Sequence, residues 1–266
     1  MKNKIFKIAS VLLFNLLFCS LISFADEDTK QSKNKTYTIS LGYENSLFKD
    51  VNYSVLNQKG NGIVLHLQSL RKLKSNDLFQ VAIDLPYAIT KPKNFHHFRA
   101  TQTVANIEVA YLKHFPTKNK NINFYLGGQL HSYYHLVFFD GTEAFTMFGV
   151  NGLDVSSYVE YTINDNQSIN AKASIPVLAQ LVRPPYTGWD KYITDNPYNI
   201  PKVLTRGKIT SLNKFFGFNF DFNYEYQYKE NRSINFNYGL RYYTTSEVKK
   251  SVVMNNQFNV GLNFKL

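Results

Sequence analysis

The sequence predicts an all-β protein: a closed antiparallel transmembrane β-barrel of about ten strands, preceded by a cleaved signal peptide. Three observations predict it. The chain opens with an export signal. No later stretch supplies the roughly 18 or more consecutive apolar residues that a membrane helix needs. Long segments alternate apolar and polar residues with period two. A bilayer core offers the backbone no hydrogen-bond partners, so a chain that spans it without helices must close its sheet. Composition agrees, with 22 Phe and 19 Tyr against one Trp, and aromatic residues favour strands. With only 13 Gly and 8 Pro, collagen-like and disordered classes fit poorly.

The export signal comes first. Lys2, Lys4 and Lys7 form a positive start, and the run Ile8 to Ile22 is apolar except for Ser10, Asn15 and Ser20. Ser23-Phe24-Ala25 is a small-x-small cleavage site, and Asp26-Glu27-Asp28 follows it. These are the parts of a signal peptide. The expected organisation is residues 1–25 as signal peptide, 26–35 as a short periplasmic segment and 36–266 as barrel. Cys19 leaves with the signal, so the mature chain has no thiol chemistry and no disulfides. Phe18 stands where a lipidated Cys would need a small neighbour. Three of 30 basic residues also leave, so 27 stand against 19 acidic ones, a net of +8. An exported basic barrel meets anionic lipid head groups rather than nucleic acid.

The strands are expected near 36–48, 59–71, 77–90, 99–115, 122–138, 147–163, 167–183, 210–228, 232–245 and 251–266. The last is the clearest: Phe258, Val260, Leu262, Phe264 and Leu266 alternate with Asn259, Gly261, Asn263 and Lys265. Phe216, Phe218, Phe220, Phe222, Tyr224, Tyr226 and Tyr228 alternate with Gly217, Asn219, Asp221, Asn223, Glu225 and Gln227. Ile234, Phe236, Tyr238, Leu240 and Tyr242 form a third apolar row. Ile169, Ala171, Ala173, Ile175, Val177, Ala179 and Leu181 form a fourth. Seven successive apolar positions make a strand of about 13 residues. Soluble strands usually run about 5–6, whereas a tilted membrane strand needs about 9–11. Tight polar connections are expected around 72–76, 116–121, 164–167 and 229–231. Longer ones are expected around 47–59, 91–98, 139–146 and 183–209, giving short turns at one end and long loops at the other. Tyr111, Phe115, Phe124, Tyr161, Tyr224, Tyr226 and Tyr228 sit near strand ends, as interfacial aromatic girdles do.

Taken together, the signal peptide, the ten amphipathic strands and the final Phe264-Lys265-Leu266 resemble small bacterial outer-membrane β-barrel proteins in general. The resemblance covers nearly all of the mature chain. It implies a place in the outer membrane, contact with outer-membrane lipid and lipopolysaccharide, and recognition of the last strand by the barrel assembly machinery. In that class the last residue is usually aromatic; here it is Leu266, while Phe258 and Phe264 keep the rest of the pattern.

The face opposite the apolar rows carries Glu44, His66, Asp84, Gln129 and Lys265, and with them Glu108, His131, His135, Glu160, Lys172, Asp221, Glu225 and Arg241. A charge facing lipid costs about 2–4 kcal/mol at the midplane. These eight are therefore expected to form an inward polar network. Eight strands leave an interior that side chains just fill, and ten leave little more. The expectation is a side-chain-filled or narrow lumen.

Chemistry is thinly supported. His131 and Ser132 are neighbours on a strand and point to opposite faces, so they cannot act as a base and nucleophile pair. His131 and His135 lie about 13 Å apart along a strand, too far to share a metal. Asp84, His96, His97, Asp140, Glu143, Asp190 and Asp195 are candidate rim acids and bases by position only. No dinucleotide, phosphate-loop or zinc signature occurs. No catalytic residue, metal ligand or cofactor is expected. The most distinctive region is 183–209, where Arg183, Tyr186, Trp189 and Tyr198 are expected to bind an external ligand. Lys191, Lys202, Arg206 and Lys208 make it basic, which suits contact with lipopolysaccharide; a lid folded over the barrel mouth is the alternative for this segment. The expected function is a non-enzymatic barrel whose long basic aromatic loop serves surface binding or small-solute passage. The alternatives are a barrel enzyme (a lipid hydrolase or rim protease) and a soluble periplasmic β-protein.

Overall fold

Alternating side chains with a β-rich composition pair into ladders, and the ladders here run all the way round. The computed structural model describes residues 34–93, 98–141, 145–183 and 206–266, with Asp195, Asn196, Asn199, Lys202 and Val203 between the last two blocks. The expected signal peptide lies outside the described residues. The strands are β1 Lys35–Asp50, β2 Ser54–Lys72, β3 Leu78–Pro92, β4 Ala100–Phe115, β5 Ile122–Phe139, β6 Phe145–Asn164, β7 Gln167–Val182, β8 Lys208–Ser211, β9 Phe215–Lys229, β10 Arg232–Thr245 and β11 Ser251–Lys265.

Each strand pairs antiparallel with its neighbours, and β1 pairs with β11 to close the sheet. That seam runs from Thr36↔Lys265 to Asp50↔Ser251 without a register shift. The short β8 and the long β9 lie end to end along β7, pairing with Leu178–Leu181 and with Gln167–Ser174 respectively. Eleven segments therefore make ten staves, a closed antiparallel ten-strand barrel. Both ends of the barrel chain, Lys35 and Leu266, meet at one rim through the Leu266 N–H, which donates to the Lys35 carbonyl at 2.9 Å.

The apolar rows face outward with no second protein layer over them among the described residues. Leu41 is 63% exposed and its ladder partner Val260 54%; Leu130, Phe236 and Phe258 are likewise exposed. Such a band around a closed sheet is stable only against hydrocarbon, so the barrel is transmembrane. Inward positions such as Asn255, Gln257 and Asn259 are buried.

Two expectations need correction. The fourth apolar row does not hold its phase. A β-bulge in β7 shifts the register, with Leu153 opposite Leu178 but Asp154 opposite Pro176. Val177 and Leu178 are both exposed, while Ala179 and Leu181 are 2% and 4% exposed and face the lumen. One extra residue inverts every later side chain, and Pro176, which has no N–H to give the ladder, marks the place. The connections also differ. The segment 47–59 is mostly strand, with a three-residue turn at 51–53. At 139–146 only residues 140–144 separate β5 from β6. Near this rim the polarity inverts: Phe48 points in while Lys49 and Lys59 lie on the outer parity, so an apolar-out rule cannot see the strand. The connection 93–99 falls where one was expected, and 183–207 is the longest between successive strands.

Candidate functional site

The lumen is the place where inward side chains converge, and they meet across it at several heights. Midway along the barrel, Arg241 on β10 gathers three carboxylates. Its Nη1 donates to Asp221 Oδ1 on β9 at 2.8 Å and its Nη2 to Asp84 Oδ2 on β3 at 3.3 Å. Nη2 also lies 3.4 Å from Glu108 Oε1 on β4. In the strand order β4 and β10 stand on opposite walls. Lys172 Nζ on β7 donates to Glu108 Oε2 at 2.8 Å, and Asn106 Nδ2 donates to both Asp84 and Glu108. His66 Nδ1 packs on Asp84 Oδ1. Buried charges persist only where partners and hydrogen bonds satisfy them; this cluster supplies most of those partners by reaching across the barrel, while Arg241 Nε has none among the described residues.

Beside it lies a second cluster. His131 Nδ1 is 2.7 Å from Asp154 Oδ1, and Gln129 Nε2 donates to Asp154 Oδ2 at 3.3 Å. Tyr243 donates from its hydroxyl to Asn219 Oδ1 at 2.7 Å, and its ring stacks on His131 at 6.0 Å. Higher still the filling turns apolar: Phe48, Tyr133, Val137, Phe139, Phe148, Val150, Leu181, Phe215, Tyr243 and Val253 form one buried cluster. Tyr133 and Tyr243 meet from distant walls with ring centroids 4.7 Å apart. Above them Thr146 Oγ1 on β6 donates to Asp50 Oδ2 on β1, again between opposite walls, at 3.3 Å. At this rim Arg183 Nη1 donates to the Glu247 and Lys249 carbonyls, both at 2.6 Å, and Nη2 to Asp50 Oδ1 at 2.8 Å.

Of the residues singled out from the sequence, Glu108, Lys172, Asp221 and Arg241 come together in the central cluster. His131 lies in the neighbouring one. His135 sits at its upper edge with Nε2 2.9 Å from Gln102 Oε1. Glu160 and Glu225 lie apart, near the terminal rim, with Asn123 and with Lys265 and Ser233 respectively. Arg183, expected in the external loop, turns its guanidinium into the rim, its side chain 2% exposed. Tyr186, Trp189 and Tyr198 lie outside the described residues. Sequence reasoning missed Asp154 and Asn106 as partners, and it missed the apolar layer. Its signal was present: Tyr243, Tyr133 and Val253 continue the inward parity of Arg241, His131 and Asn255.

At the terminal rim the β2–β3 turn is tied by Asp77. Its carboxylate accepts from the His114 backbone N–H at 2.8 Å and from the Ser75 and Tyr111 hydroxyls at 2.7 Å each. The His114 backbone donor above all, then the hydroxyls, pulls the Asp77 carboxyl down to about 2. At the other rim a hydrogen bond from Lys208 lowers the Glu247 carboxyl.

The His131–Asp154 pair has the geometry of a general base and its orienting acid. Both side chains, however, have no exposed surface. Of the candidate rim groups, Asp84 is buried in mid-lumen. His96, His97, Glu143 and Asp190 lie outside the described residues. No three His, Cys, Asp or Glu side chains stand close enough to hold a metal among the described residues.

No protein-family model matches the chain, and no curated protein matches it. Among solved structures it is similar to the outer membrane protease OmpT from Escherichia coli, at 9% identity over 90% of this chain and 99% of that one, with a TM-score of 0.49. It is also similar to the translocator domain of the autotransporter NalP from Neisseria meningitidis, at 9% identity over 97% and 98% of the two chains, TM-score 0.41. A third is Neisserial surface protein A, at 12% identity over 86% and 97%, TM-score 0.32. At such identities no residue role passes from those proteins to this one.

Proposed function

We propose that this chain is a bacterial outer-membrane barrel whose lumen is sealed by its own side chains and whose work is surface binding by the long loop that follows Arg183. The observation that carries this reading is the central ion cluster: Arg241 and Glu108 touch from opposite walls. A lumen bridged there and packed with aromatic rings above has no room for a hydrated solute. The interior His–Asp pair is closed to substrate, which favours binding over hydrolysis. Function then falls to the exposed end, and the longest connection there, 183–207, carries Tyr186, Trp189 and Tyr198, flat amphipathic side chains suited to recognition. The lysines and arginines of that loop suit anionic lipopolysaccharide.

The test is electrical and structural. Refolded protein should shift on unboiled gels, give a β signal by circular dichroism, and add no ion-conducting steps to a planar bilayer. Regular conductance steps from folded protein would overturn the sealed-lumen reading. Replacing residues 186–203 with a Gly-Ser linker should leave the heat shift intact while removing binding to lipopolysaccharide-bearing cells. Undiminished binding would overturn the role of the loop.

A further inference from the structure

We propose that Lys59, Lys91 and Arg99 form a site on the outer wall of the barrel for a phosphorylated glycolipid of the surrounding leaflet. The proposal rests on the reading of this chain as an outer-membrane barrel and names a ligand for a face the lumen does not use. Lys59 on β2 stands directly opposite Lys91 on β3 in the ladder. Thr90 pairs with Ala100, which puts Arg99 beside Lys91 on the next strand. All three point outward, since their neighbours Gln58, Thr90 and Ala100 are buried inside. Three cations thus lie in one row across three adjacent staves, about 4.8 Å from strand to strand.

Like charges placed opposite one another destabilise a sheet. Nothing in the described protein relieves this row. Among the described residues, none of the three side chains makes an ion pair with a carboxylate or a hydrogen bond to another group. Asp140 is next along, bonded through its N–H to the Arg99 carbonyl, yet its carboxylate does not reach the guanidinium. The missing counter-charge is therefore external.

The surroundings choose its chemistry. The three cations line an open groove of about 490 Å³ together with Gly60, Asn61 and Ile89. One step toward the membrane centre are Asn61 and Ile89, and the next step is Ile63 and Tyr87, paired in register and exposed. Anionic head above, apolar wall below: this fits an amphiphile with phosphate at the membrane face and acyl chains along the sheet. Arg99 supplies a planar fork for phosphate, and the lysines supply point charges. A free phosphate ion would leave the apolar wall without a role.

The experiment uses the full folded barrel in non-ionic detergent, observed by native mass spectrometry. Probes are bis-phosphorylated lipid A, the same lipid with its phosphates removed, phosphatidylglycerol and inorganic phosphate as competitor. Wild type should hold lipid A, and the variant Lys59→Gln/Lys91→Gln/Arg99→Gln should bind it at least tenfold more weakly. The variant Lys113→Gln/Lys118→Gln/Lys120→Gln removes the same charge at the opposite rim and should bind as wild type does. Lys91→Gln alone, expected to weaken binding severalfold, keeps the test alive should the triple variant fail to fold. Equal binding by the triple variant, by dephosphorylated lipid A or by phosphatidylglycerol overturns the proposal, and displacement by inorganic phosphate alone reassigns the site to a free anion. Each sample is also run unboiled on gels and floated with liposomes. Insertion without lipid A binding sinks the site alone, whereas failure of wild type to insert sinks the barrel reading with it.

Discussion

Around Arg241 the lumen is crossed by ion pairs, whereas just above it, around Tyr243 and Phe48, rings and aliphatic side chains pack across it. Both layers span the barrel, but they respond differently to damage. The charged layer is exacting: each member is satisfied by groups on other staves, and losing one strands the rest in a medium that cannot solvate them. The apolar layer is forgiving, because a removed group leaves a cavity and lost contacts but no naked charge. The contrast teaches that inward side chains can fill a ten-stave lumen in two ways, and that the ionic one ties the walls together more specifically.

The largest effect is expected from Arg241→Ala, which strips the guanidinium from Asp84, Glu108 and Asp221 at once. Breaking a buried pair costs about 3–5 kcal/mol, read as a lowered denaturant midpoint for the folded barrel in micelles. A smaller loss would erase the distinction between the layers. Next, Leu181→Ala in the apolar layer should cost about 2–3 kcal/mol, near the lower end for a buried leucine. Ile175→Ala, from the same apparent row in the sequence but facing lipid, should cost less, because lipid fills the vacated space and only the transfer of the removed groups is lost, with no cavity. Equal costs would mean that β7 keeps its phase and Leu181 faces lipid.

A gentler probe lies outside both layers. The Asp77 carboxyl is depressed from its ordinary 3.8 to about 2. Its contribution is therefore fully present above the ordinary value and fades as the pH falls through about 2. Wild type should lose stability over that window, and Asp77→Asn should be less stable at neutral pH but flatter below pH 4. An identical acid profile for both would show that the turn does not depend on this carboxylate. The smallest effect is expected at the rim, where Lys208→Ala removes an exposed partner of Glu247. No measurable change in unfolding is expected, because exposed ion pairs are screened by solvent.

How much was legible in the sequence depended on whether a strand had two unlike faces. β9 and β11 set Phe and Tyr against Asn and Gln, and their inward faces were readable; the bounds of β11 were too, but the expected strand 210–228 ran through the break at 212–214 that parts β8 from β9. β7 failed from Val177 on, since Ile175, Val177, Leu178, Ala179 and Leu181 are all apolar and carry no mark of phase. Only Pro176 hinted at the bulge. The start of β2 was hidden for the opposite reason, with cations outside and Phe48 inside near the rim. Of the lumen, the charged side chains could be listed from parity alone, but not their partners. Arg241 finds Asp84 from 157 positions away, a relation that curvature creates and local pattern cannot.

That distance has a kinetic meaning. A partly rolled sheet brings β3 and β10 nowhere near each other, so the contacts of Arg241 with Asp84 and Glu108 form only when the final staves swing round to the first. Such long-range pairings are slow to gain because chain entropy is spent before they reward it. Half-assembled barrels are thereby penalised, and the reward arrives in one step when the seam between β1 and β11 zips. The contacts of Arg241 with Asp84 and Glu108 therefore favour the closed barrel over a partly rolled one.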